Sequence, residues 1–142
     1  MSKIAVVYWS GTGNTEAMAD LVANAAQSAG ATVDKMTSAE FNVADAANYD
    51  GFALGCPAMG AEQLEESECE PMYQDLRGSL SGKPVGLFGS YGWGDGEWIR
   101  TWAEEVQAAG ARLVADPVMA NGAPDGDATD ACNALGTALA NA

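Results

Sequence analysis

Histidine is absent from the 142 residues, and that removes a large part of enzyme chemistry. No Ser-His-Asp or Cys-His nucleophile, no histidine metal ligand and no imidazole acid–base group can be built. Cations are scarce: six Lys and Arg face 20 Asp and Glu, for a formal charge of −14. Nucleic acid and anionic lipid both require clustered cations, so neither suits this surface. A basic protein partner is the complementary reading, with solubility as the other use of the charge. The three cysteines, Cys56, Cys69 and Cys132, show no CxxC spacing and are expected to be reduced and structural. No apolar run approaches the ~18 residues needed to span a membrane. The run Ile4-Ala5-Val6-Val7-Tyr8-Trp9 is too short for a signal peptide and no small-residue cleavage pattern closes it. A soluble, cytoplasmic protein is expected.

What is present is a core-forming composition, 48% apolar, in a length that suits one domain over residues 1–142. Strand and helix alternate. Ile4 to Tyr8 is a β-branched run without alternation, as in a strand covered on both faces. Thr15 to Ala29 follows as a helix with Met18, Leu21, Val22 and Ala25 on one stripe and Gly30 as its stop. Further strands are expected at Ala31 to Met36, Phe52 to Cys56, Pro84 to Gly89 and Ala111 to Ala115. A helix is expected up to about Leu80, another from Glu97 to Ala109, and a closing one from Asp127 to Ala140. Five βα units of this kind make an open, doubly wound α/β fold with a parallel sheet and helices on both faces. Its ligands bind beyond the carboxyl ends of the strands, so the loops at 9–15, 56–66, 89–97 and 117–126 matter most.

The first of these, Ser10-Gly11-Thr12-Gly13-Asn14-Thr15, opens a helix. Its glycines let the backbone turn N–H groups toward an anion, three hydroxyls and an amide add donors, and the helix dipole favours negative charge. It contains no Lys or Arg, so a phosphate held there stays close to dianionic. The P-loop lysine is missing, and Glu16 stands where the dinucleotide fingerprint needs a third glycine. A plain Gly/Thr turn is the alternative. In Gly89-Ser90-Tyr91-Gly92-Trp93-Gly94-Asp95-Gly96, a Trp among glycines has little local packing and suggests a platform for a flat ligand. Trp98 and Trp102, spaced i, i+4 on a helix, are expected in the core, as is Trp9. In Pro57-Ala58-Met59-Gly60-Ala61-Glu62, Met59 offers an adaptable apolar cover, or core packing.

Together these stretches resemble the flavodoxins. Val7 to Thr15 is similar to their FMN phosphate signature. Gly55 to Gly60, Leu64-Glu65-Glu66-Ser67 and Leu87 to Gly94 are similar to the matching loops of short-chain, clostridial-type members. The resemblance implies a flavodoxin-like sheet of five parallel strands in the order 2-1-3-4-5, and non-covalently bound FMN. It implies that Ser10, Gly11, Thr12, Gly13, Asn14 and Thr15 hold phosphate, that Trp93 stacks outside the flavin and that Met59 packs inside. Backbone groups around Gly92, Trp93 and Gly94, flanked by Ser90 and Tyr91, serve the pyrimidine edge. Glu62 accepts from N3–H, with a solvated acid as the alternative, and a Gly60 carbonyl accepts from the reduced N5. Pro57 and Ala61 lie in the same loop at positions that vary in the family. A hydroxyl that some members carry at the position of Pro57 is absent here, and Ala61 replaces a common polar residue.

The implied function is a low-potential one-electron carrier that shuttles between semiquinone and hydroquinone. It is not an enzyme, and it serves redox enzymes as a monomer. At ~10 Å in water each unit charge repels the anionic hydroquinone by roughly 0.4 kcal/mol. Several such terms reach the ~1.4 kcal/mol that corresponds to about 59 mV. Glu62, Glu65, Glu66, Glu68 and Glu70, within nine residues free of Lys and Arg, are expected to form a docking ring or a solvated helix start. The rival readings are an FMN-dependent NAD(P)H oxidoreductase and a flavin-free signalling domain of similar topology.

Overall fold

A computed structural model describes residues 2–11, 13–59, 64–92 and 94–142. Its frame is a parallel sheet built outward from β1 (Lys3–Tyr8), with β2 (Thr32–Thr37) on one side and β3 (Gly51–Gly55) on the other. β4 (Pro84–Tyr91) continues the sheet past β3 and is followed by β5 (Arg112–Leu113), giving the order β2-β1-β3-β4-β5. Side chains alternate along each strand, and both sides are covered. Ala5, Val7, Phe52, Leu54, Val85 and Leu87 enter one core. Ile4, Val6, Tyr8, Ala53 and Phe88 enter the other.

The first core is closed by α2 (Cys69–Leu76) and α3 (Glu97–Ala108), the second by α1 (Asn14–Ser28) and α4 (Gly126–Asn141). Trp98 and Trp102 are buried in the first core as expected, and Trp9 packs half-buried against it. The three cysteines are free and buried. No helix among the described residues is long and apolar enough to cross a membrane.

Two expectations need correction. The fifth strand is not one run from Ala111 to Ala115 but two pieces, β5 (Arg112–Leu113) beside Pro84 and Val85 and β6 (Val118–Asn121) beside 88–91. Pro117 lacks the N–H that a continuous ladder would need there, and residues 118–121 of the expected 117–126 loop are strand. The crossover from β2 to β3 carries a 3₁₀ turn, Val43–Asn48, with Asn42 accepting from the Ala44 N–H at 3.0 Å. On α1 the buried positions are Thr15, Met18, Ala19, Val22, Ala23 and Ala26. The stripe is rotated from the expected one because α1 packs on α4 as well as on the sheet, and Leu21 and Ala25 are left half-buried.

Candidate functional site

The loops that leave β1, β3 and β4 converge at the carboxyl edge of the sheet, the ligand end of a doubly wound fold. After β1 the chain turns through Ser10 and Gly11 to Gly13, which caps α1 in the left-handed region at φ 95°. A side chain there would be strained, and glycine is not. The Ser10 hydroxyl accepts from the Gly13 N–H at 3.0 Å, and the Ala17 N–H returns to the Gly13 carbonyl at 3.0 Å. That geometry leaves the amides of Asn14, Thr15 and Glu16 without acceptors inside the helix. Thr12 lies outside the described residues. Gly11 is exposed, and a Cβ on it would come within 3.0 Å of the Trp9 ring.

Thr15 is 1% exposed. Its Oγ1 accepts from the Ser90 N–H at 3.4 Å, which joins the start of α1 to β4 and leaves the hydroxyl proton free to donate. Ser90 is fully engaged. Its hydroxyl donates to Gly122 O at 2.6 Å and its carbonyl accepts from the Ala58 N–H at 3.1 Å. It therefore aligns the loops rather than presenting a free donor.

A cleft of ≈ 370 Å³ lies at this end, lined by Trp9, Ser10, Gly11, Gly13, Thr37 and Glu68, together with Tyr8 and Glu16. The Tyr8 hydroxyl donates to Glu16 at 2.9 Å. Burial, reinforced by that carboxylate, pushes the phenol up to about 12. Glu16 was read from the sequence only as a missing glycine; its place on the first turn, facing the cleft, needs the turn geometry to be seen.

In the second loop Pro57 and Ala58 are half-buried and Met59 is 37% exposed. Ala58 packs against the first core, while Met59 belongs to neither core and so is not spent on packing. Gly60, Ala61 and Glu62 lie outside the described residues. In the third loop Gly92 and Gly94 are exposed and Trp93 lies outside the described residues. Tyr91 is half-buried, its ring 5.7 Å from that of Trp98 and tilted by 48°.

The acidic run departs from expectation at Glu65. This carboxylate is turned inward, 6% exposed, and accepts from the Ser67 N–H at 2.8 Å, the Ser67 hydroxyl, the Glu68 N–H at 2.7 Å and the Cys69 N–H at 3.0 Å. Burial raises its pKa, but these bonds together outweigh burial and hold it below the ordinary carboxylate value. Glu65 is thus removed from the expected ring; free amides before α2 offer a carboxylate more than water does. Glu66 and Glu68 remain exposed. Glu66, Glu70 and Glu105 edge a second cleft, of ≈ 300 Å³, over Leu64, Trp98 and Trp102.

A protein-family model described as flavodoxin matches residues 6–136. The chain is 48% identical over 139 residues to a flavodoxin of Megasphaera elsdenii, covering 98% of this chain and 99% of the relative. It is 44% identical over 136 residues to a flavodoxin of Clostridium beijerinckii, covering 96% and 98%. Among solved structures, that of the two-electron-reduced Megasphaera elsdenii flavodoxin superimposes with a TM-score of 0.90 at 47% identity, over 98% of this chain and 99% of that one.

Proposed function

The chain belongs to the flavodoxin family and is an FMN-binding electron carrier, not an enzyme, and from that premise we propose that its FMN lies across the carboxyl ends of β1, β3 and β4. The alternative of an FMN-dependent NAD(P)H oxidoreductase finds no support among these relatives. Bound FMN supplies a flavin that takes up and releases electrons singly, at low potential beside so much negative charge.

The observation that carries the assignment is the Gly13 turn, which puts the first three amides of α1, without acceptors inside the helix, beside the buried Thr15. Such a donor set fits a phosphate monoester: it is rich in N–H and O–H groups, sits at a helix N-terminus and needs no cation. The 5′-phosphate is assigned to Ser10 through Thr15, with Thr12 supported by the sequence motif alone. The faces of the ring system are assigned to Met59 and Trp93, its pyrimidine edge to the backbone of Gly92, Trp93 and Gly94, and N3–H to Glu62. Pro57, Ala58, Gly60, Ala61, Ser90 and Tyr91 complete the surrounding loops. Partners are redox enzymes with basic faces that meet Glu66, Glu68 and Glu70. The carrier works as a cytoplasmic monomer of one domain.

Titrating the apoprotein with FMN and with riboflavin tests the phosphate assignment. Riboflavin is expected to bind far more weakly, and equal affinities would overturn it. Sedimentation of the holoprotein with and without a basic redox partner tests the monomer and the docking charge together.

A further inference from the structure

At the neck of the loop between β3 and α2, hydrogen bonds join three residues, Cys56, Glu65 and Cys69. The Glu65 N–H donates to Cys56 Sγ at 3.2 Å, so the residue before the loop is tied to one just after it. The Glu65 carboxylate accepts from the Cys69 N–H at 3.0 Å, which ties the start of α2 to the same residue. Cys56 and Cys69 are fully buried and Glu65 nearly so. The Cys56 thiol also donates to the Pro57 carbonyl at 3.5 Å, the first peptide of the loop, and the Ala58 N–H is held by Ser90 O at 3.1 Å.

A buried acid needs a reason, since an isolated carboxylate in this place costs several kcal/mol. Here each oxygen has two donors. Oε2 receives the Ser67 N–H and hydroxyl, and Oε1 receives the Glu68 and Cys69 N–H groups. Only a carboxylate accepts at both positions; an amide would point an NH₂ at two donors. The adjacent acid, Glu66, is exposed. These bonds are not demanded by the α/β core, because α2 already has Cys69, Met72, Tyr73 and Leu76 to dock it. What they fix is the spacing between the two ends of the 57–64 segment.

We propose that Glu65 is a positioning residue for electron transfer, clamping the neck of the Met59 loop through Cys56 and Cys69 and so setting how that loop meets the flavin. This rests on the assignment of Met59 to one face of FMN. Cys56 acts in the same clamp, and neither residue touches the cofactor. We expect a slack neck to weaken the loop's hold on the reduced ring more than on the oxidised one, which lowers the first one-electron potential. Removing a negative charge at a distance instead raises the second, because it relieves the anion formed there.

The test is potentiometric titration of the FMN-loaded protein in four variants: Glu65→Gln, Cys56→Ala, Glu66→Gln and Met59→Ala. Glu65→Gln and Cys56→Ala are expected to lower the first potential, bringing the two potentials together by about 59 mV, tenfold in the one-electron equilibrium. Cys56→Ala changes no charge. It keeps the test valid should Glu65→Gln fold poorly. Glu66→Gln, which removes the same charge from an exposed site, is expected to leave the first potential unchanged. A merely structural role would lower the melting temperature of Glu65→Gln and Cys56→Ala and leave their potentials at the wild-type values, and that result overturns the proposal. If Met59→Ala also leaves both potentials and FMN affinity unchanged, the placing of the loop on the flavin has failed, and the clamp with it. If Met59→Ala moves them while Glu65→Gln and Cys56→Ala do not, the clamp alone is wrong.

Discussion

Trp98 Nε1 donates a hydrogen bond to Cys56 O at 2.9 Å, joining the first turn of α3 to the residue just beyond β3. Both partners are buried, and the same carbonyl lies 2.2 Å from where a Cβ on Gly89 would be. The exits of β3 and β4 are therefore packed backbone to backbone, with the indole as the rivet. Trp98→Phe keeps most of the apolar surface and leaves the Cys56 carbonyl without its partner. It is expected to lower stability by about 1–3 kcal/mol, read from urea unfolding of the apoprotein; an unchanged midpoint would mean that water replaces the indole.

Glu65 gives the acid limb of stability a specific origin. Its carboxyl titrates lower in the folded protein than the ordinary value, so its contribution is complete above the unfolded pKa and drains away as pH falls through the folded one. Unfolding midpoints measured from neutral pH down through the carboxylate range should therefore fall more steeply for the wild type than for Glu65→Gln. Parallel curves would show that other acids govern the limb.

Gly136 lets α4 approach α1. A Cβ there would stand 2.3 Å from the Val22 carbonyl and 2.9 Å from the Ala25 Cβ. Alanine favours a helix interior over glycine by up to ~1 kcal/mol, yet Gly136→Ala is expected to be net destabilising, because forcing two backbones apart costs about 1–3 kcal/mol. Thermal unfolding decides the sign, and a rise in the melting temperature would show that α4 shifts freely.

Trp93 is the platform proposed for the third loop, where Tyr91 packs against Trp98 and the Trp98 indole is bonded to Cys56 O. Trp93→Ala should weaken FMN binding by about 1–3 kcal/mol, the scale of lost stacking and burial. It should also raise flavin fluorescence, which stacked indole quenches. An unchanged dissociation constant with unchanged quenching would remove Trp93 from the site.

What the sequence determined by itself was whatever depends on neighbours along the chain. The β-branched run from Ile4 marks β1, Gly13 marks the start of α1, Gly30 its stop, and the Trp98–Trp102 spacing marks the buried side of α3. The turn proposed to hold phosphate is legible for the same reason, since its glycines, its hydroxyls and the helix it opens are contiguous. Tertiary structure decided what depends on partners far away. The buried stripe of α1 follows α4 rather than its own most apolar residues. The fifth strand breaks where Pro117 meets the ladder, because β4 is long enough to pair with a strand on either side of the break. Glu65 reads in the sequence as one acid in a solvated run, and it becomes a buried clamp because Cys56, nine residues back and on another element, and the open amides before α2 arrive at its two ends. Charge composition fixes how many carboxylates a surface must carry; which of them turns inward is set by where the fold leaves unpaired N–H groups.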